Sequence, residues 1–103
     1  MKSLHTPHAD RLFAAILRLS SLEECYALFE DLCTIRELRD LSGRFEVAEM
    51  LAEGKSYQEI SQKTGASTAT ICRVNKCLLY GTGGYRAALR GEGIDVCGEE
   101  EGV

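Results

Sequence analysis

The sequence predicts an all-α fold of about six helices built around a helix-turn-helix, and three observations carry that prediction. Apolar residues recur at three- and four-residue spacing along residues 1–90, the period of one helix face. Ser or Thr stands in front of several of these stripes, where a hydroxyl can cap the first free backbone N–H groups. The third observation is negative. Alternating β-branched runs are scarce, and the single proline, Pro7, sits where a helix can open.

The elements follow in order. Thr6-Pro7 opens a first helix carrying Leu12, Phe13, Ile16, Leu17 and Leu19, and Ser20-Ser21 interrupts it. The second helix has Glu23 and Glu24 in its first turn, where acids suit the positive dipole end. Leu22, Cys25, Tyr26, Leu28, Phe29 and Leu32 are its apolar positions. Thr34 and Glu37 form a capping box that starts the longest helix, about residues 35–53. Leu38, Leu41, Phe45, Ala48 and Leu51 make its main stripe, flanked by Val47 and Met50. Gly54 suits the left-handed residue that ends it. Ser56 caps a short helix through Lys63, Gly65 breaks it, and Ser67 or Thr68 caps the next, which runs to about Leu79. Gly81, Gly83 and Gly84 make a joint before a last short helix near residues 85–90. The chain thus reads as one domain, 1–90, and a glycine-rich acidic tail, 91–103, expected to be disordered.

Composition narrows the function classes. At 103 residues the chain is one small domain's worth, and a core of that size gains from a partner subunit. No apolar run approaches the ~18–20 residues that span a bilayer, and MKSLHTPHAD lacks the apolar stretch of a secretory signal. A cytoplasmic protein without a membrane partner is expected. The five cysteines (25, 33, 72, 77 and 97) make no C-x-x-C pair and have only His5 and His8 for company. They read as reduced apolar fillers, with no metal and no cofactor. No Ser/His/Asp set or phosphate loop appears, and Cys72 and Cys77 have no histidine nearby in sequence to activate them, so an enzyme is not expected.

Net charge is −4, which suits a nucleic-acid binder poorly until the charge is located. Residues 34–90 carry nine bases and six acids, while residues 91–103 carry five acids and no base. Within 55–80, Lys55, Lys63, Arg73 and Lys76 face a single acid, Glu59. The acidic tail hides a basic patch, and the patch is what meets phosphate.

Residues 56–79, from Ser56 to Leu79, meet the demands of two helices joined at a sharp turn. Ser61 supplies a small residue at the crossing, and Gly65 supplies the reversal four residues on. Ile71, six residues further, returns to pack on the first helix, with Val74 and Ile60 continuing the buried stripe. The second helix then starts with Ser67, Thr68, Ala69 and Thr70, small and hydroxyl-bearing residues suited to close approach in a major groove. Arg73 and Lys76 follow on neighbouring turns, in reach of phosphate. A helix–Gly–helix corner also occurs in proteins that never touch DNA, so a helical protein–protein interaction module is the alternative.

The stretch LSGRFEVAEMLAEGKSYQEISQKTGASTATICRVNKCL resembles the Trp repressor family, from Thr34 to about Leu79. Gly65-Ala66, Ala69-Thr70-Ile71 and Arg73 are its most specific parts, and Gly43 falls one place late in the Leu41–Arg44 motif. LEECYALFEDLCTI and CLLYGTGGYRAAL look more like the family's shorter, less characterised branch. The resemblance implies an intertwined homodimer with a helix-turn-helix on each side, reading a pseudo-palindromic operator whose half-sites lie ~34 Å apart. It implies a double-stranded DNA partner and a transcriptional regulator, read here as a repressor. DNA-reading roles would fall on Thr68, Ala69 and Thr70. Gln58 would fall where the repressor's preceding helix offers an arginine. Roles at an amino-acid effector would fall on Thr34, Arg44, Arg73, Val74 and Cys77. Val74 and Cys77 depart from the family's glycine and serine, and an isopropyl group in the space of an indole ring costs about 1–3 kcal/mol. Tryptophan is therefore not expected as effector, and Arg44 and Arg73 equally suit ion pairs near Glu46 or Glu49.

Overall fold

The computed structural model describes residues 4–93, so residues 94–103, most of the predicted acidic tail and with it Cys97, lie outside the described residues. Six α-helices follow one another: α1 (Pro7–Leu17), α2 (Leu22–Leu32), α3 (Ile35–Ala52), α4 (Tyr57–Thr64), α5 (Thr68–Tyr80) and α6 (Gly84–Gly91). No strand occurs among the described residues, and no helix there is long and apolar enough to cross a membrane. The predicted all-α class and helix order are those observed.

Hydroxyl caps explain where the helices start. Thr6, Ser21, Thr34, Ser56 and Ser67 each accept a hydrogen bond from the backbone N–H three residues on, at 3.0–3.1 Å. Each such cap satisfies one of the free donors of a first turn and contributes about 0.5–2 kcal/mol. At Thr34 and Ser56 the box is reciprocal: the Thr34 N–H donates to Glu37 Oε1 at 2.9 Å and the Ser56 N–H to Glu59 Oε1 at 2.8 Å. Five of the six helix starts are thus set by a side chain within the helix's own first turn. The sixth, α6, starts at Gly83 with φ of 95° and no side-chain cap.

The described residues form two compact units that divide between Leu38 and Arg39. In the first, α1 and α2 bury no side chain fully. Leu12, Ile16, Leu28 and Phe29 are half-buried, while Phe13, Leu17 and Leu22 are 60%, 85% and 74% exposed.

The second unit holds the core. Val47 and Ala48 from α3, Ile60 from α4, and Ile71 and Val74 from α5 form one buried cluster, with Met50 and Leu51 packed against it. Leu78 and Leu89 form a second, joining α5 to α6, with Phe45 and Ala52 alongside. Sequence periodicity put Val47 on the flank of the α3 stripe, yet it is 1% exposed whereas Leu41 is exposed. The physical reason is that α3 serves several neighbours at once. Packing against both helices of the corner and against α6 covers two adjacent rows of one helix rather than a single row.

The joint between α5 and α6 is closed by backbone carbonyls finding donors. The Gly81 N–H donates to the Cys77 carbonyl at 2.9 Å, and Arg86 Nε donates to the Leu78 carbonyl at 3.0 Å. A second Arg86 nitrogen donates to the Leu79 carbonyl. These bonds satisfy acceptors that the end of a helix leaves open. Gly81 is needed for a specific reason, since a Cβ there would sit 2.4 Å from the Cys77 carbonyl oxygen.

The Ser56–Glu59 box has a pH signature. Hydrogen bonds from the Ser56 backbone and side chain hold the Glu59 carboxyl below its ordinary pKa of 4.5. With the folded value the lower one, the contribution is present above the unfolded pKa and is lost as pH falls through the folded value. Thermal unfolding of wild type and Glu59→Gln should therefore give midpoints that differ near neutral pH and converge in acid. A difference that stays constant down to about pH 3 would remove the charge from this account.

Candidate nucleic-acid interface

Three residues, Gly65, Ala66 and Ser67, turn the chain from α4 into α5. Gly65 adopts φ of 77° and donates its N–H to the Ser61 carbonyl at 2.8 Å, ending α4. Thr64 ties the turn from the side: its hydroxyl donates to the Ile60 carbonyl at 2.8 Å and accepts from the Ala66 N–H at 3.1 Å. Beneath the turn, Ile60 and Ile71 are both 0% exposed. Gly65, Ile60, Ile71 and Val74 thus take the places that their spacing required, with Ser61 half-buried beside them.

Residues named as DNA-reading fall into two groups. Thr68, Ala69, Arg73 and Lys76 are exposed on α5, and Gln58 is exposed on α4. Ser67 and Thr70 are occupied locally: Ser67 Oγ accepts from the Thr70 N–H and donates to Thr70 Oγ1 at 3.1 Å, and Thr70 is half-buried. Their hydroxyls shape the start of the helix, which leaves Thr68 and Ala69 to present a hydroxyl and methyls outward. No acid stands in the first turn of α5, so its partial positive charge is unopposed and suits a phosphate.

Two residues outside that set belong to the same surface. Cys72 is exposed one turn beyond Thr68 and one turn before Lys76. The Tyr57 phenol, at the first position of α4, lies in hydrogen-bonding reach of Cys72 and Asn75. Burial first, and then the Cys72 thiol, push the Tyr57 hydroxyl above its ordinary pKa. Tyr57 also packs against the buried cluster, and no spacing rule in the sequence signals that approach of α4 to α5.

Of the residues named for an effector, Thr34 belongs to the first compact unit and the other four to the second. Thr34 is spent as the α3 cap, its hydroxyl accepting from the Glu37 N–H at 3.0 Å. Arg44 is half-buried, Arg73 and Cys77 are exposed, and Val74 is 2% exposed inside the core cluster. A groove of about 430 Å³ lies between α3 and the turn, lined by Arg39, Asp40, Arg44, Gly65 and Thr70 among others. Of the five residues, only Arg44 lines it.

A larger groove, about 520 Å³, carries Glu46, Glu49, Glu53 and Glu59 beside Lys55 and Lys63. Burial, and then a hydrogen bond with Glu92, raise the Glu49 pKa. A surface with that many carboxylates repels phosphate, so the exposed side of α5 is the better nucleic-acid face. Among the described residues no group of three or more His, Cys, Asp or Glu is placed to hold a metal ion.

Comparison with known proteins gives a consistent relationship. The family model described as Trp repressor protein matches residues 7–92. The chain is 58% identical over 80 residues to the uncharacterised protein YerC of Bacillus subtilis, covering 78% of this chain and 77% of that protein. A TrpR-like protein from Eubacterium eligens superposes with a TM-score of 0.85 at 52% identity, over 89% of this chain and 95% of the other. A candidate Trp repressor from Staphylococcus aureus gives 0.84 at 46%, over 89% and 92%.

The turn gives a test that separates backbone from packing. Nothing lies within 4 Å of a Cβ built on Gly65, so Gly65→Ala should cost only the left-handed conformation, about 1–2 kcal/mol in urea unfolding. Gly65→Asn should cost less, because Asn tolerates that region better. Equal losses for the two variants would show that the constraint at this position is not conformational.

Proposed function

The chain belongs to the Trp repressor family, and from that premise we propose that it is a cytoplasmic, sequence-specific DNA-binding regulator acting as a homodimeric repressor. The observation that carries the reading is the start of α5. Thr68 and Ala69 stand exposed there, no acid opposes the helix dipole, and Arg73 and Lys76 follow on the next turns. The reading mechanism follows from the side chains present. The Thr68 hydroxyl offers a donor and acceptor to base edges, and the methyls of Thr68 and Ala69 meet thymine methyl groups. Arg73, Lys76 and the N–H groups at the start of α5 hold phosphates and so fix the register. Gln58, on the helix before, contacts the backbone or an adenine edge rather than clamping a guanine as an arginine would.

Dimerisation is supported by the first unit. Phe13, Leu17 and Leu22 are more than half exposed, on helices with no fully buried residue of their own. Each such side chain buried against a second copy contributes about 1.5–3 kcal/mol, which pays for association. Tryptophan is not the effector in this reading, because Val74 fills core space where a ring would need room.

Selection of binding sites from a random duplex pool, at low and near-physiological salt, tests the reading. Enrichment of a two-fold-symmetric site that survives the higher salt is the expected result. Weak retention that vanishes with salt would favour the protein-interaction module instead. On the selected site, Lys76→Ala should weaken binding across sequences and reduce the slope of log K against log salt by about 1. Thr68→Val, which removes the hydroxyl and keeps the shape, should instead change the preferred site. Sedimentation should find wild type as a dimer and Phe13→Glu shifted towards monomer; an unshifted Phe13→Glu places the interface elsewhere.

A further inference from the structure

Tyr85, the second residue of α6, is the one aromatic side chain among the described residues that packs against both apolar clusters. Its ring stacks on Phe45 of α3, with centroids 6.4 Å apart and planes at 30°. On the α5 side, the cluster that it covers contains Val74. Burial raises the pKa of its hydroxyl, Arg44 and Arg73 pull it down, and the Cys77 thiol raises it. The phenol oxygen therefore lies in the fields of Arg44, Arg73 and Cys77 together. These three, with Val74, are four of the five positions at which the family resemblance put an effector. The groove by Thr70 and the Gly65 turn is lined by Arg44 but by none of Arg73, Val74 and Cys77.

We propose that Tyr85 is a built-in aromatic occupant of the space between Phe45 of α3 and the Val74-containing cluster on α5, so that the chain's own side chain, and no bound small molecule, sets the pose of α5. The inference rests on the DNA-binding reading for its consequence, but not for the occupancy itself. A tethered ring is present at every concentration of every metabolite, so the reading helix needs no loading step. Arg86 fixes the ring's position, because its bonds to the Leu78 and Leu79 carbonyls hold α6 on the end of α5. The aromatic occupant, the cap on α5 and the start of α6 are thereby neighbours in one short segment. In this arrangement Tyr85 is a positioning residue for DNA binding.

Removing the ring while keeping the fold should leave an apolar space that accepts a small aromatic molecule, as engineered apolar cavities do. The experiment compares wild type, Tyr85→Phe and Tyr85→Ala, with p-cresol and L-tryptophan as probes, by thermal shift and by affinity for the selected duplex. p-Cresol should saturably stabilise Tyr85→Ala and leave wild type and Tyr85→Phe unmoved. Tyr85→Ala should lose about tenfold in DNA affinity, within the ~5–150-fold span of coupling between sites, and p-cresol should restore it. Tyr85→Phe should bind DNA as wild type does. Failure of p-cresol to stabilise Tyr85→Ala, or saturable stabilisation of wild type by tryptophan, would overturn the proposal. If Tyr85→Ala does not fold, Tyr85→Leu keeps apolar volume without the ring, and full DNA affinity in that variant would overturn it equally. Absence of DNA binding by wild type would sink the functional reading alone, because the p-cresol arm reports occupancy without DNA.

Discussion

Ile60 and Ile71 are buried beneath the Gly65 turn with no surface left exposed, and the geometry of the helical corner depends on that packing. Two helices of eight and thirteen residues would not hold a fixed angle on their own propensities. The angle is set because Val47 and Ala48 of α3 close the cluster from below and leave one arrangement without a void. The turn above can then be as short as three residues, since Gly65 takes the left-handed conformation and Thr64 supplies the hydrogen bonds that the chain reversal needs.

Much of this was legible in the sequence because it is local. The capping box at Thr34, the cap at Ser56, the glycine at 65 and the spacing to Ile71 are short-range requirements, and each is met where the residues predicted it. What the sequence hid is what depends on which helix lies against which. Val47 looked peripheral because a single helix was read alone, whereas two adjacent rows are covered once several helices share α3. The Tyr57–Cys72–Asn75 contact and the place of Tyr85 have the same origin: each joins elements whose mutual approach no periodicity encodes. Val74 lay between the two kinds. Its spacing placed it in the buried stripe, but only the packing shows that Tyr85 lies against the same cluster.

The two compact units differ in how they treat apolar surface. The second buries seven side chains among α3 to α6, whereas the first leaves large ones in the open. The buried core of the chain is thus confined to the unit that contains the helical corner. Charge follows the same partition. The acids concentrated in residues 91–103 set the sign of the whole molecule but lie outside the segment that carries Arg73 and Lys76. Net charge is therefore a poor guide to what the reading surface attracts.

Helix α5 carries two non-overlapping sets of residues along its length. Ile71, Val74 and Leu78 face the core, while Thr68, Ala69, Cys72 and Lys76 face away from it. No residue belongs to both sets, so a change in one need not be compensated in the other. Over evolutionary time the exposed set of such a helix is free to drift while its scaffold stands still. A single exchange at position 68 or 69 alters hydroxyls and methyls without opening a cavity. On the proposed DNA-reading role, lineages that inherit this corner diverge in their target sequences by single steps, each of which leaves a folded protein.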